Sequence, residues 1–175
     1  APAIKAIEYQ NVNYNGGINT TNEFRGYGPP TPIIDDAWSA ISLRVSGFRI
    51  FEEDFSKMGK RVDEKPWHKL PDEKGGGYVG MIEAFHLLHC LDAIRKELYP
   101  DIYKHDWSTE SYANFRLHQD HCVDLLRQNL MCSADMGIVP FYDDENPLNA
   151  FAMPDFSTVH KCRNFDKLLE WSNSN

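Results

Sequence analysis

The sequence predicts a mainly α protein: a single domain with a central pair of motif-bearing helices and a few short strands. Three observations carry that reading. Two segments read alike, His86-Leu-Leu-His89-Cys90-Leu91-Asp92-Ala-Ile-Arg95-Lys-Glu-Leu98 and His118-Gln-Asp-His121-Cys122-Val123-Asp124-Leu-Leu-Arg127-Gln-Asn-Leu130, offset by 32 residues. Neither contains Gly or Pro and both are rich in Leu, which favours helix over strand or loop. The chain has 175 residues, 42% of them hydrophobic, enough for one domain with a real core and too short for two comfortable ones.

The elements follow in chain order. Residues 1–26 are polar and rich in Asn and Gly and read as an extended N-terminal arm, with a short strand at Ile4 to Tyr9. Residues 27–175 form the domain. Pro29, Pro30 and Pro32 stiffen its start; Asp35 or Asp36 then offers an N-cap for a short helix over Ala37 to Leu43. The alternation Phe48-Arg49-Ile50-Phe51 predicts a short strand, and Glu52 to Met58 a helical turn or two ending at Gly59. Residues 60–77 hold Pro66, Pro71 and three consecutive glycines, which signal a loop. Tyr78 to Ile82 reads as a brief strand leading into the first motif helix, placed at Glu83 to Leu98 and stopped by Pro100. Ser108 or Thr109 is a candidate N-cap for the second motif helix, over about residues 109–131. Ile138 to Phe141 reads as a strand, residues 142–157 as an irregular loop and Lys161 to Trp171 as a last amphipathic helix.

Charge excludes some functions. The net charge is −8 with a pI near 5.3, which argues against nucleic acid or an anionic membrane surface as partner, since both reward basic patches. No run approaches ~18 apolar residues, the minimum for a membrane helix. The chain starts at Ala1 without a Met and reads as a processed or truncated product.

The duplicated motif carries the chemistry. At about 100° per residue, His86, His89 and Cys90 fall within roughly 100° of arc on one helix face, and the second segment repeats the arrangement. Two such helices packed side by side can offer four imidazoles, His86, His89, His118 and His121, to a metal. An all-imidazole set suits copper or zinc better than magnesium, calcium or manganese. A non-haem iron triad would want a carboxylate on the same face, for which Glu83 is available. Zinc held by four His with no open position would be structural.

The thiols keep two readings. Cys90, four residues after His86, can complete a copper site, or Cys90 can bridge Cys122 with Cys132 paired to Cys162. The second bridge closes a 30-residue loop and would contribute on the order of 3–4 kcal/mol. Asp92 with Arg95 and Asp124 with Arg127 read as surface ion pairs at i and i+3, the alternative being an Asp that orients a ligating His. Tyr78, Trp107 and Tyr112 flank the motif helices as core residues or as aromatic walls for a substrate. His68 and His105 read as solvent-exposed.

The motif pair resembles the UstYa-like family of fungal secondary-metabolism proteins. The flanking residues carry the likeness too: Tyr27-Gly-Pro-Pro30 with Asp36-Ala-Trp38, Gly77-Tyr78-Val79, Tyr99-Pro100, Leu130-Met131-Cys132 with Asp135, and His160-x-Cys162-Arg163. The resemblance implies a copper-dependent oxidase, with one or two copper ions and molecular oxygen as co-substrate. It implies a peptide-derived or small-molecule natural product as substrate, modified by oxidative cyclisation or C–H oxidation. His160 would be a further ligand or proton shuttle, and Asp135 would cap the last helix or touch substrate. An N-terminal membrane helix would precede the domain and place it in the secretory lumen, where disulfides persist and the sequon at Asn19 would be glycosylated. A homodimer or a complex with a related protein fits the same picture. The rival readings are a non-catalytic structural metal protein that partners another oxidase, and an iron-dependent hydroxylase or halogenase.

Overall fold

A computed structural model describes residues 4, 6–15, 17, 20–26, 28–106, 108, 111–135, 137–142 and 153–174. Four α-helices dominate it: α1 (Pro32–Ser42), α2 (Glu83–Glu97), α3 (Tyr112–Ser133) and α4 (Phe165–Ser174). Six short strands form three two-stranded antiparallel sheets: β1 (Tyr9–Asn13) with β6 (Val159–Arg163), β2 (Phe48–Ile50) with β3 (Tyr78–Gly80), and β4 (Phe141–Tyr142) with β5 (Met153–Pro154). The molecule is mainly α, as the sequence predicts. Among the described residues no helix is long and apolar enough to cross a membrane.

The centre is α2, packed between α1 and α3. It buries Phe85, Leu87, Cys90 and Asp92. Phe85 is fully buried and meets the Phe165 ring of α4 edge-on at 5.6 Å. Trp171 packs on Phe48 of β2 at 5.1 Å, and the Ser172 hydroxyl donates to the Ser46 carbonyl at 2.8 Å. So α4 clamps the β2–β3 hairpin against the back of α2. The stretch before residue 27 is also bound in, because β1 pairs in register with β6 from Tyr9–Arg163 to Asn13–Val159, and the Trp38 indole donates to the Phe24 carbonyl.

Boundaries differ from the sequence reading at instructive places. Helix α1 starts at Pro32, capped by Thr31, whose hydroxyl accepts from the Ile34 amide. A Thr–Pro pair at N-cap and first helical position is a complete start signal, since Pro has no amide to satisfy there and a preset φ. Asp35 therefore lies inside the first turn rather than at the cap. The second motif helix is capped by Ser111, not by Ser108 or Thr109; Ser108 instead donates to Asp106 in the preceding turn. The stretch Val159–Arg163 is strand, not the first turn of the last helix, because β1 supplies it a hydrogen-bonding edge from the far end of the chain. Helix α4 then begins after Asn164, whose side chain accepts from the Lys167 amide. The N-terminal strand is Tyr9–Asn13 rather than Ile4 to Tyr9, for the same pairing reason. Of the expected strand over Ile138 to Phe141, only Phe141 pairs, extended by Tyr142. Between β2 and β3, Gly59 ends a 3-10 turn at φ 68°, and Gly77 at φ 85° lies against Arg49 where a Cβ would collide.

Candidate metal centre

Helices α2 and α3 run antiparallel with their histidines facing. His86 lies opposite His121 with ring centroids 6.1 Å apart, and His89 opposite His118 at 6.2 Å; along α2, His86 and His89 are 6.4 Å apart. The spacing of three residues puts both rings of each helix on one face, and antiparallel packing crosses the pairs. The four imidazoles thus outline one small quadrilateral between the helices. His86 and His89 are half-buried, whereas His118 and His121 are exposed.

Burial holds the His89 pKa below the usual imidazole value, and the neighbouring His118 and His86 push in the same direction. A ring kept neutral is a ring ready to donate its lone pair. With metal–nitrogen bonds of about 2.0 Å, imidazole centroids lie about 3.2 Å from a shared ion and about 5.2 Å from one another in a tetrahedral set. The neighbouring rings, at 6.1–6.4 Å, are wider apart than that, so the side chains must close inward for all four to share one ion. Among the described residues no three His, Cys, Asp or Glu donors already converge on one point. The donor chemistry fits a borderline or soft transition metal, and the helices bring all four predicted ligands together.

Cys90 and Cys122 lie at the heart of this arrangement. Both are 0% exposed. The Cys122 sulfur is 3.8 Å from His118 Nε2. Burial, then the neighbouring Cys90, pushes the Cys122 thiol up to about 12. All four cysteines are free thiols in the structure, where the sequence suggested two bridges. Cys132 is exposed near the end of α3; Cys162 is half-buried on β6 and hydrogen-bonded to Tyr14.

Beside the histidines opens a cleft of about 800 Å³ lined by His89, His118, His105, Asp35, Lys96 and Tyr103. His105 is exposed, as expected, and also lines the cleft: its Nε2 lies 2.8 Å from Glu97 Oε1, and its ring packs on Phe115 at 4.1 Å. It sits in a loop with no periodicity, so no sequence signal marks its place in the cleft. The network behind the cleft was legible only in its Asp92–Arg95 pair. Asp92, 3% exposed, accepts from Arg95 Nε and Lys96 Nζ, both at 2.8 Å. Arg95 also reaches Asp35 at 2.7 Å and lies 5.4 Å from the Trp38 ring centre. Tyr103 donates to the same Asp35 oxygen at 2.5 Å. Burial would raise Asp35, but the hydrogen bonds from Tyr103 and Arg95 outweigh it and hold its carboxyl below the usual range. The expected surface pair Asp92–Arg95 is thus a buried tie between α2 and α1. Its counterpart Asp124–Arg127 is the exposed pair the sequence predicted, each side chain 54% exposed.

Other candidates lie elsewhere. His160 is engaged at both nitrogens, Nδ1 with Asp135 at 2.8 Å and Nε2 with the Thr158 hydroxyl at 2.9 Å, and Tyr14 stacks on it at 3.8 Å. Asp135 accepts from the Gly137 amide and pairs with His160; it does not cap α4. Tyr78 packs on Phe55 at 4.9 Å in the hairpin and does not line the cleft. Glu83 lines an apolar groove with Leu87 and Phe48, not the cleft. Asn19 and Trp107 lie outside the described residues.

An antiparallel helix pair with four facing imidazoles at a cleft defines a helical histidine-cluster protein. The chain belongs to the UstYa family: the model described as "Mycotoxin biosynthesis protein UstYa" matches residues 1–175. It is 32% identical to the UstYa family oxidase phomYc of Diaporthe leptostromiformis, over 85% of this chain and 58% of that protein. It is 28% identical to the transacylase cctO of Talaromyces islandicus, over 99% of this chain and 59% of the relative, and 28% identical to the UstYa family oxidase aprY of Aspergillus flavus, over 83% and 45%. The chain thus spans between 45% and 59% of the length of these relatives. No solved structure matches it.

Proposed function

We propose that this chain is the metal-binding domain of a copper-dependent oxidase of fungal secondary metabolism, acting on a peptide-derived or small-molecule scaffold by oxidative cyclisation or C–H oxidation. The observation that carries the reading is the facing of His86 with His121 and of His89 with His118, the latter pair lining the cleft. The names of the relatives include oxidases, which support this reading, and a transacylase, which does not. A set of four imidazoles favours copper within the divalent series. Copper would supply one-electron chemistry toward molecular oxygen.

The chain's own groups do the rest. Burial keeps His89 unprotonated, so it is available as a donor at neutral pH. The Asp92–Arg95–Asp35–Tyr103 network fixes the first motif helix against α1, setting the wall of the cleft opposite His118. Lys96 and the His105–Glu97 pair present polar groups to a substrate lying there. Glu83 lines the apolar groove on the Leu87 side of α2 rather than the cleft, which weighs against it as the carboxylate of an iron triad.

The test is metal content. Replacing any one of His86, His89, His118 or His121 with Ala is expected to lower copper stoichiometry and abolish activity while far-UV circular dichroism stays unchanged. Unchanged copper in two or more variants would overturn the assignment. So would full occupancy by zinc after copper loading, which is the signature of a structural site. Copper affinity should also fall steeply below about pH 6.5, where free imidazole takes a proton.

A further inference from the structure

The motif histidines account for the repeat's first two polar positions, and the buried thiol at its third is left without a role. Cys90 and Cys122 come from equivalent places on two facing helices and are wholly buried, next to histidines whose rings face across the seam at 6.1 and 6.2 Å. The Cys122 sulfur lies 3.8 Å from His118 Nε2. Two buried thiols at equivalent places across one helix seam can approach to a disulfide without separating the helices. Complete burial slows attack on either sulfur by a bulky thiol such as glutathione, because exchange requires in-line access. Electrons then leave the pair most readily to something small or to something bound at the histidines. A purely structural bridge has no need of that placement, and Cys132, exposed at the helix end, lacks it.

We infer that Cys90 and Cys122 are a redox-active dithiol of the histidine centre, which closes to a disulfide by giving two electrons to bound copper(II) and reopens on reduction. This rests on the copper reading above. The step balances as two copper(II) ions, reduced at the centre one after the other, and two thiols giving two copper(I) ions, one disulfide and two protons. One S–S bond forms and two S–H bonds break. The pair would thus set the oxidation state of the metal between turnovers.

The experiment uses the full chain with Cys132 and Cys162 changed to Ser, so that only this pair can react. Reduced, metal-free protein is mixed anaerobically with copper(II). The expected result is loss of two thiols per chain, a Cys90–Cys122 linkage by peptide mapping, and loss of the copper(II) paramagnetic signal with equivalent copper(I) trapped by a chelator. Dithiothreitol then restores both thiols in folded protein, and the cycle repeats. Adding Cys122→Ser should leave the bound copper(II) signal intact. Two thiols persisting beside bound copper(II), or an equal loss of signal in the Cys122→Ser protein, overturns the proposal. If neither protein takes up copper, the four-histidine reading fails; hydrogen peroxide then decides the thiol proposal separately. Closure of the pair by peroxide with reversal by dithiothreitol keeps a redox dithiol, and two unreacted thiols end it.

Discussion

Asp92 and Asp124 occupy the same place in the two repeats and live in opposite surroundings. Asp92 is buried and accepts from two cations, one of which ties α2 to α1 through Asp35. Asp124 is exposed and answers only to its own helix, through Arg127 and Gln128. Removing one partner of a buried ion pair leaves an uncompensated charge and costs about 3–5 kcal/mol, whereas an exposed pair contributes about 0.2–1 kcal/mol. Asp92→Ala should therefore destabilise the chain by about 3 kcal/mol, and Asp124→Ala far less. Denaturant midpoints of the two variants measure this, and equal losses would contradict it. His89 adds a pH dependence. Its folded pKa is depressed by burial and by His118 and His86. Below the free value of about 6.5 the unfolded chain binds a proton that the folded chain refuses, so stability falls as pH drops. The fall ends once folded His89 itself is protonated. The metal-free protein should lose stability from pH 7 to pH 5 by more than its His89→Gln variant does; an identical slope in both would remove His89 as the cause.

At the scale of elements, α3 ends on a strained residue. Ala134 sits at φ 37°, ψ 62°, the left-handed conformation that closes helices, and its amide bonds the Leu130 carbonyl. An L-residue with a Cβ pays roughly 1 kcal/mol for this conformation, and Gly does not. Ala134→Gly should thus raise stability by up to about 1 kcal/mol, offset in part by the greater freedom of Gly in the unfolded chain; a lower melting midpoint would contradict the geometry. The same scale shows what a sequence can reveal. The motif helices were legible because their evidence is local: Leu spacing, no Gly or Pro, a Pro stop. The predicted span Glu83 to Leu98 matches α2 to one residue. The pairing of β1 with β6 was not legible, because Val159–Arg163 has its partner some 150 residues away and no local pattern names it. The four ligand candidates were legible as a repeated spacing. His105 and Tyr103 were not, since a loop delivers them to the cleft through tertiary contact alone.

Across the whole molecule the two halves of the site are unequally held. Helix α2 has α1 on one side, α3 on another and α4 behind. Helix α3 has 22 residues and buries only Phe115, Gln119 and Cys122, along the side that meets α2 and the His105 loop. It leaves Leu117, Val123, Leu130 and Met131 exposed. Local opening is governed by buried apolar contacts, so a helix held on one narrow stripe opens at a lower free energy than one held on three sides. In the metal-free protein, amides of α3 should exchange faster than those of α2, fastest of all in the last turns around Leu130 and Ser133. A metal that takes nitrogens from both helices binds only the packed state. At a free concentration one hundred times its dissociation constant it adds about 2.7 kcal/mol to that state. Copper loading should therefore slow exchange over residues 115–126 and bring it toward the α2 rate, with little change in β1 or β6, which sit away from the histidines. Hydrogen-exchange mass spectrometry reads both segments in one experiment. Copper-induced protection confined to α2, or spread evenly over the chain, would mean that the ion is not held across the two helices.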